Sequence, residues 1–494
     1  MPHPSARVAF IHPDLGIGGA ERLVVDAAVQ LQAEGHNVRI ITSHFDPGHA
    51  FEATTDGTLC VQLAETRIPR AIFHMLHLPM AILQQLSLVW QVFIASHGKV
   101  LHARAPRFYS HLSSLPPHEL PEVFVVDQLP AAIPLLRLLG ARVLYYCHFP
   151  DKEISNSLAE QRAKEGTSWA KSVLRAAYRL PLDLLEEVTT AYADVVVANS
   201  KFTAARFVRA FPRLGIYPSV VHPAVNLAAY DPEHINKEVA ALEAVGGEQA
   251  TATKYVLRLT EQPFLLSINR FEAKKNVALA LDTYARVRRD GLRLVLIGGY
   301  DLRVRDNIDT LDALQRQAAS LGLKCVVVWP SGDTPNVLDA HVVFLPSFPG
   351  ALLHALLASQ SARALLYTPT DEHFGIVPLE AMAVGLPVVA TNTGGPLETV
   401  VDMGQAPTDG TGFLRPADAS QWADATAQIL DWDHATRTQV SRAARKRVHD
   451  LFSVEALGRA MSAQVELAKA SQSGGMAIYV PLLLFILFIA WVVV

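Results

Sequence analysis

Short runs of apolar residues recur along this 494-residue chain, and most are followed by a segment with helical periodicity. A run of four to six residues that is apolar throughout is typical of a strand buried on both faces, as in a parallel sheet covered by helices. The alternation therefore predicts an α/β protein. The predicted strands are 7–12, 38–43, 123–127, 142–147 and 194–198 in the first half, and 264–269, 293–297, 325–328, 342–346, 364–367 and 387–391 in the second.

The two series of strands predict two α/β domains of similar construction, with a ligand cleft between the carboxyl ends of their strands. The stretch 228–262 between them is mixed and charged, and we interpret it as a helical connection or an insertion. The predicted organisation is an N-terminal domain at 1–225, a connection at 226–262, a C-terminal domain at 263–416, helices at 417–472 and a membrane segment at 476–494.

The composition excludes several classes of protein. Half of the residues are apolar and only 18% are charged, so the chain can bury a large core and is not a disordered or low-complexity protein. Lys and Arg total 43 against 47 Asp and Glu, and this balance of -4 argues against a nucleic-acid partner. The three cysteines, Cys60, Cys147 and Cys325, are far apart and odd in number, which favours a reducing compartment over a disulfide framework.

The C-terminal segment Met476–Val494 contains no charged residue and contributes to the high mean hydropathy of +0.21. As a helix it would be about 28 Å long, close to the thickness of the hydrocarbon layer of a bilayer. Tyr479 and Trp491 lie near its two ends, where interfacial aromatic residues are favoured. The segment predicts a membrane helix, and a buried helix of the core is the alternative.

A second stretch without Asp, Glu, Lys or Arg covers Ala71–Ala95. Because His74, His77 and Pro79 interrupt it, it resembles a helix at the membrane interface more than a span. A helix packed on the sheet is an equally good interpretation.

The N-terminal apolar run and the basic residues before the tail indicate on which side of a membrane the chain lies. The apolar run Val8–Ile11 is too short for the core of a signal peptide, so we expect the N-terminal body to stay in the cytosol. Basic residues precede the hydrophobic tail and agree with a cytosolic side there, although a solvent-facing helix explains them equally well. These basic residues are Arg442, Arg445, Lys446, Arg447, Arg459 and Lys469.

Gly16, Gly18 and Gly19 lie between the first predicted strand and the helix after it. Glycines at this point allow phosphate or sugar to approach the backbone, with helix-terminal N–H groups pointing at the ligand. A dinucleotide fingerprint would need glycine where this chain has Glu21, so a nicotinamide cofactor is poorly supported. A tight turn without a ligand is the alternative.

Three cations, Arg270, Lys274 and Lys275, directly follow the buried strand 264–269. That edge of an α/β sheet is where ligand sites form, and two or three cations there suit a diphosphate. Fixed positive charge would stabilise the negative charge that grows on a departing diphosphate. The alternative is ordinary surface charge.

Two carboxylates, Glu372 and Glu380, lie eight positions apart across a predicted junction between a loop and a helix. Pro378 fits only an early helical turn, and Gly385 ends the helix. Glu380 would lie on a largely buried helix, where a ribose diol could supply its hydrogen bonds, and Glu372 would lie beside a transferred sugar. A structural ion pair with a basic neighbour is the alternative. The amides of Gly375 and Ile376 would face the phosphates.

His148 follows the strand 142–147 and is predicted at the edge of the cleft, where a histidine can polarise a hydroxyl or hold a sugar. A lone histidine is often structural, and Asp127, at the end of another strand, caps a helix equally well. The sequence has no His-x-x-x-His pair and no Gly-x-Ser-x-Gly motif, so neither a metal site nor a serine nucleophile is predicted.

Taken together, these motifs resemble the retaining glycosyltransferases of the GT-B type, family 4, which have two Rossmann-like domains facing a cleft. The resemblance covers nearly all of the chain before the tail. It implies a donor site at Arg270, Lys275, Glu372, Phe374, Gly375, Ile376 and Glu380, an acceptor or phosphate loop at Gly16, Gly18 and Gly19, and catalytic roles for Glu372, His148, Arg270 and Lys275. It also implies no cofactor and no need for a metal.

Three segments, 12–22, 145–151 and 269–276, resemble more closely the eukaryotic α-1,3/1,6-mannosyltransferases of dolichol-linked oligosaccharide synthesis. This resemblance implies transfer from GDP-mannose to a dolichyl-diphosphate-linked Man-GlcNAc2 acceptor with retention, on the cytosolic face of the endoplasmic reticulum membrane. It implies contact with membrane lipid and leaves open a complex with other mannosyltransferases of the pathway. The alternatives are transfer to another lipid acceptor, a sugar-nucleotide epimerase or a non-catalytic membrane subunit.

Overall fold

The computed structural model describes residues 5–66, 68–69, 76–97, 120–164, 168–331 and 337–471. The chain divides into two compact units. Unit 1 consists of 1–223 and 454–494, and unit 2 of 224–453. The predicted tail 476–494 and the first part of the stretch 71–95 lie outside the described residues.

Unit 1 is built on a sheet of seven parallel strands in the order β3-β2-β1-β4-β5-β6-β7. The central strands are buried almost throughout because helices cover both faces. The strands β1, β4 and β5 are neighbours in this order, so their carboxyl ends lie side by side. The strands are β1 (Arg7–Asp14), β2 (Asn37–His44), β3 (Cys60–Leu63), β4 (Val123–Asp127), β5 (Arg142–Cys147), β6 (Val195–Ala198) and β7 (Ser219–Val220).

Six helices of unit 1 follow its strands in the expected alternation. The stretch 71–95, predicted either as an interfacial helix or as a helix packed on the sheet, forms most of the second of them, and its described part buries Met80, Leu86 and Val89 in the core. The helices are α1 (Gly19–Ala33), α2 (His77–His97), α3 (Ile133–Leu138), α4 (Asp151–Lys164), α5 (Trp169–Thr190) and α6 (Lys201–Ala210).

Unit 2 has a second parallel sheet of seven strands, in the order β10-β11-β9-β8-β12-β13-β14. Gly298 ends its strand where the residue after the neighbouring strand passes closely, because a Cβ there would lie 1.9 Å from the carbonyl oxygen of Asn269. The strands are β8 (Phe264–Ile268), β9 (Arg293–Gly298), β10 (Cys325–Val327), β11 (Val342–Pro346), β12 (Ala362–Tyr367), β13 (Val388–Thr391) and β14 (Gly412–Arg415).

Within the described residues of unit 2 there are nine α-helices, and two of them form the stretch interpreted from the sequence as a helical connection or an insertion. There the histidine ring of His354 lies 3.2 Å from Glu238, which ties the first of these helices to the body of the unit. The helices are α7 (Pro232–Val245), α8 (Gly247–Leu257), α9 (Ala278–Val287), α10 (Arg305–Ser320), α11 (Gly350–Ala358), α12 (Val377–Ala383), α13 (Pro396–Thr399), α14 (Ala419–Asp431) and α15 (His434–Phe452).

The last described helix, α16 (Val454–Ala470), returns to unit 1. It packs against α1, where Gly458 lies so close to Gln30 that a Cβ would lie 2.7 Å from the glutamine side chain. The ring of His36 contacts the hydroxyl of Ser462 at 2.9 Å. This helix is part of the predicted group of C-terminal helices at 417–472; in the structure it belongs to unit 1, because its apolar stripe covers α1.

In the part of the chain that the structure describes, no helix combines the length and the hydropathy needed to cross a bilayer.

Candidate functional site

Three side chains meet at the carboxyl edge of unit 1, on the adjacent strands β1, β4 and β5. His12 Nδ1 lies 2.8 Å from Asp127 Oδ1, and His148 Nε2 lies 3.1 Å from Asp127 Oδ2. The register of β1 and β4 explains the contact between His12 and Asp127, because Ile11 pairs with Val126 and the next residue of each strand therefore lies beside the other. Asp127 therefore connects the predicted His148 to a second, fully buried histidine.

The buried pair is ionic. Burial alone lowers the pKa of His12, but Asp127 and Glu21 raise it by more, and the result is about 10. Burial raises the pKa of Asp127, whereas His12 and His148 lower it by more, to about 2. His12 is therefore a cation and Asp127 an anion at neutral pH, and the carboxylate fixes the orientation of the His148 ring.

The glycine loop at the start of α1 extends this network. Glu21 Oε1 lies 3.5 Å from His12 Nε2, and contact with His12 lowers the pKa of Glu21. A Cβ on Gly18 would lie 2.2 Å from the Glu21 carboxylate, so glycine at this position lets Glu21 turn back toward His12. Gly16 and Gly19 have open space where a Cβ would be, which agrees with a loop accessible to a ligand.

In unit 2, the loops after β8 and β12 bring Lys275 and Glu372 together. Lys275 Nζ lies 2.5 Å from Glu372 Oε2, and the two side chains are 15% and 23% exposed. Thr368 Oγ1 donates to the backbone carbonyl of Lys275 at 2.7 Å, which ties the two loops together. The ion pair that the sequence analysis raised as an alternative for Glu372 is thus present, and its partner is a predicted donor-site residue.

Arg270 lies in the same loop but does not share this ion pair. Its guanidinium is 3.0 Å from Glu272 Oε1, and Lys274 Nζ is 3.1 Å from Glu272 Oε2. The Arg270 side chain is 64% exposed, and its methylenes lie beside Gly299, where a Cβ would approach within 3.2 Å. Arg270 can therefore change partner more freely than Lys275.

Two glycines shape the loop that holds Glu372. Gly394 has a φ of 69°, and a Cβ there would lie 2.5 Å from the carbonyl oxygen of Glu372. A Cβ on Gly395 would lie 1.9 Å from the carbonyl oxygen of Phe374, while the Gly395 amide donates to the Glu372 carbonyl at 2.8 Å. The Gly-Gly pair thus lets the backbone of 371–374 lie directly against it.

Tyr367, the last residue of β12, lies beneath this loop. Burial, and then the nearby carboxylates of Glu372 and Glu380, raise the pKa of Tyr367 well above its usual range, so the hydroxyl stays protonated. A Cβ on Gly375 would lie 2.9 Å from that hydroxyl, and Gly375 has a φ of 78°. The sequence does not identify Tyr367 as a site residue, because a tyrosine at the end of an apolar strand is typical of the core.

The remaining predicted donor-site residues lie on or before α12. The ring of Phe374 is buried in the core beside Phe452, 6.1 Å between centroids, and the role of Phe374 in binding the donor stays a prediction. An apolar ring at a loop that turns into the sheet gains more from burial than from solvent, and only its backbone remains for a ligand. Ile376 precedes the helix and Glu380 is half-buried on it.

Across the described ranges, no three His, Cys, Asp or Glu side chains are grouped closely enough to hold a metal ion. The cations of the site are side chains of the protein, Arg270, Lys274 and Lys275.

Reasoning from the sequence missed two further residues besides Tyr367. His12 and Glu272 stand in motifs that the sequence makes visible, but neither had a recognisable role without knowledge of neighbouring strands. A buried polar residue at the end of an otherwise apolar strand was the available signal for His12.

Family models match most of the chain. Residues 17–229 match Glycosyltransferase Family 4, and 250–447 match Glycosyl transferases group 1. The two matches fall on unit 1 and unit 2 respectively, apart from a few residues after 223.

Two curated relatives extend the similarity to nearly the whole chain. An alpha-1,3/1,6-mannosyltransferase ALG2 of Rhizomucor pusillus is 39% identical over 97% of this chain and 96% of the relative. The protein of the same name from Kluyveromyces lactis is 40% identical over 92% of this chain and 83% of its own length.

Among solved structures, the catalytic domain of starch synthase IV from Arabidopsis thaliana, bound to ADP and acarbose, has a TM-score of 0.63 at 15% identity and covers 95% of this chain and 99% of its own. At that identity the likeness shows the fold alone, which is the GT-B fold with two parallel Rossmann-like sheets. The fold, the two family matches and the identity along almost the full length agree, and the chain belongs to the family of α-1,3/1,6-mannosyltransferases within glycosyltransferase family 4.

Proposed function

We propose that this protein transfers mannose from GDP-mannose to a dolichyl-diphosphate-linked Man-GlcNAc2 acceptor, adding one α-1,3 and one α-1,6 mannose with retention. The observation that carries the proposal is the contact of 2.5 Å between Lys275 Nζ and Glu372 Oε2 at the carboxyl edge of unit 2. Identity of 39–40% to two α-1,3/1,6-mannosyltransferases supports the choice of donor and linkage.

The donor diphosphate would bind the cations at this edge. An ammonium group has three donors, so Lys275 can hold Glu372 and a phosphate oxygen together. Arg270, whose exposed guanidinium lies 3.0 Å from Glu272, would turn to the other phosphate oxygens. As the bond to the sugar breaks, these fixed charges stabilise the negative charge that grows on the diphosphate.

Glu372 would hold the mannose and Glu380 the ribose of the donor. The backbone amides at Gly375 and Ile376 would face the phosphates. Because Gly394 and Gly395 press against the backbone of the Glu372 loop, the carboxylate would be held before the donor arrives.

Retention would follow from attack on the same face that the diphosphate leaves. The bond between the anomeric carbon and the diphosphate breaks, the bond to the acceptor oxygen forms, and the acceptor proton passes to the leaving phosphate oxygen. His148, oriented by Asp127, would position the acceptor sugar and would form no bond to it.

Both linkages would be made at one site. The sequence contains a single set of Arg270, Lys275, Glu372 and Glu380, so one place accelerates bond cleavage. The lipid-linked glycan would then present its two hydroxyls in turn.

The test is incubation of the purified protein with labelled GDP-mannose and a Man-GlcNAc2 lipid, followed by analysis of product length and linkage. We expect a Man3 product with both α linkages. Conversion of the donor without acceptor would favour an epimerase, and no turnover with any acceptor would favour a non-catalytic subunit. Transfer only to a different lipid-linked sugar would retain the enzyme class and refute the acceptor.

We further propose that the segment 476–494 anchors the protein in the endoplasmic reticulum membrane with both units in the cytosol. Its nineteen residues carry no charge. Carbonate extraction of the full chain and of a chain ending at Ser473 tests the anchor. Complete recovery of the full chain in the soluble fraction would refute it.

A further inference from the structure

A carboxylate folds back over the glycine loop at the start of α1. Glu21 lies in the first turn of the helix, and a Cβ on Gly18 would collide with its Oε2. Gly16 and Gly19 have open space where a Cβ would be, and the Glu21 side chain is 21% exposed. The loop therefore has an open surface with a partly exposed carboxylate beside it.

This carboxylate is an anion at neutral pH. Contact with His12, which the buried Asp127 keeps protonated, lowers the pKa of Glu21. The negative charge lies at the N-terminal end of α1, where the helix dipole is positive. The charge that would attract a phosphate to this helix end is therefore already balanced by a side chain of the protein.

The ring of His12 gives a second, independent observation. Its Nε2 is fully buried and lies 3.5 Å from Glu21 Oε1, which is too long for a good hydrogen bond. Within the described part of the chain, this nitrogen makes no hydrogen bond. The buried network is thus one acceptor short at the end that faces the glycine loop, and Glu21 is held there by charge and not by a hydrogen bond.

We propose that Glu21 binds a hydroxyl group of the acceptor sugar, a step that rests on the proposed function. A carboxylate accepts hydrogen bonds, and a sugar hydroxyl can donate to it and accept from a ring N–H at the same time. Phosphate oxygens only accept, and their charge is repelled by Glu21. Of the two ligands that the sequence predicts for the loop at Gly16, Gly18 and Gly19, the structure thus favours the acceptor.

The other end of the same network supports this assignment. Asp127 contacts His12 through Oδ1 and His148 through Oδ2, so Glu21 and His148 are the two partly exposed ends of one chain of contacts. The buried pair between them fixes both ends relative to the sheet. Glu21 is then a binding residue, and His12 is a positioning residue that acts through it.

Acceptor analogues that each lack one hydroxyl test the contact. The probes are Man-GlcNAc2 on a short, water-soluble lipid diphosphate and its monodeoxy analogues, and calorimetry measures their binding to the full-length protein without donor. We expect the wild-type protein to bind one analogue about 10–100-fold more weakly than the parent, the range for a hydrogen bond to a charged group. Glu21→Ala should bind that analogue and the parent equally.

Two further variants complete the comparison. Glu21→Gln keeps the shape and one acceptor oxygen, so its preference for the parent should fall between those of the wild type and Glu21→Ala, and it serves alone if the alanine variant does not fold. Glu34→Ala, which removes an exposed glutamate at the other end of α1, is the matched control and should keep the wild-type preference.

Three outcomes would overturn the proposal. Equal weakening for all analogues in the Glu21 variants would mean that the side chain only supports the fold. A preference for the parent that is unchanged in Glu21→Ala would mean that Glu21 does not contact the sugar. Protection of the amides of 16–20 from hydrogen exchange by inorganic pyrophosphate, and not by soluble Man-GlcNAc2, would assign the loop to phosphate.

Turnover separates this inference from the proposed function. With GDP-mannose as donor, Glu21→Ala should raise the KM for the acceptor by about 10–100-fold and leave the KM for GDP-mannose near that of the wild type. Transfer with an unchanged KM for the acceptor would refute the role of Glu21 and retain the proposed function. A lost preference in the binding experiment, without any transfer by the wild-type protein, would do the reverse.

Discussion

At the carboxyl edge of unit 1, His12 and Asp127 are enclosed completely, whereas at the corresponding edge of unit 2 Lys275 and Glu372 keep one side open to solvent. Both pairs join loops or strand ends of neighbouring strands. In the first pair each charge has its partner within the protein. In the second, donor capacity remains on the lysine for a further anion.

This difference in exposure indicates that the two edges have different roles. A buried ion pair has a high desolvation cost, and removal of one partner destabilises the protein strongly. Such a pair therefore fixes geometry and is poorly suited to bind and release a ligand. A partly exposed pair can exchange partners at a lower cost than an enclosed one. The first edge would therefore orient an acceptor through His148, and the second would take up and release a diphosphate.

Breaking the enclosed pair should have the largest effect. Asp127→Ala removes the carboxylate that contacts both histidines and leaves the buried His12 beside Glu21 at 3.5 Å, and we expect a loss of about 3–5 kcal/mol in the free energy of unfolding of unit 1. Denaturant unfolding followed by intrinsic fluorescence measures it. His148→Gln, which keeps the His12–Asp127 pair, should cost only about 1 kcal/mol. Equal losses from the two variants would mean that the pair is not the stabilising element.

Breaking the open pair should affect turnover and not stability. Lys275→Ala and Glu372→Ala should each reduce mannose transfer by about 10²–10³-fold, for both linkages alike, with little change in the unfolding midpoint. Lys446→Ala, which removes an exposed lysine of α15 that is paired with Asp450, is the matched control and should stay within a few-fold of wild type. A variant that abolishes one linkage and spares the other would argue for two separate sites.

A third, smaller effect concerns pH. Glu186 is buried and accepts from the backbone amides of Asp151 and Lys152 at 2.8 and 3.1 Å. Burial, with Asp151 adding to it, raises the pKa of Glu186 to about 8. A folded-state pKa above the unfolded one contributes stability at low pH that is lost as the pH rises through 8.

Thermal unfolding from pH 4 to pH 9 checks this direction. Relative to Glu186→Gln, the wild-type protein should lose stability across the range from about pH 4.5 to 8, because Gln cannot titrate. At pH 4 the wild-type carboxyl is largely protonated in both states, so the difference there reports only the exchange of acid for amide. Parallel profiles over the whole range would contradict the raised pKa.

Local pattern was sufficient to predict most strands and the loops that carry the candidate residues. The run 264–269 and the cations after it predict positive charge at the carboxyl edge of the second sheet. An ion pair between Glu372 and a basic residue was one of the alternatives. These inferences succeed because burial on both faces requires an apolar strand, whatever its neighbours are.

What depends on strand order was not predictable in this way. His12 meets Asp127 across 115 positions of sequence, and only the adjacency of β1 and β4 brings them together. The burial of the Phe374 ring has the same origin, because a loop residue turns inward or outward according to the space beside it. The amphipathic pattern of a helix such as α16 likewise predicts that one face of the helix is packed, but it does not identify the sheet on which the helix packs.

The return of α16 to the first sheet has a consequence for how the protein is made. All of 224–453 must leave the ribosome before this helix exists, so unit 2 is complete in sequence while unit 1 still lacks the cover of α1. During synthesis, the apolar surface that later packs against Leu457, Met461 and Val465 is exposed to solvent, and exposed apolar surface of this kind is what chaperones bind. The N-terminal part of the chain is thus translated first, but unit 1 can be completed only after unit 2 has been synthesised.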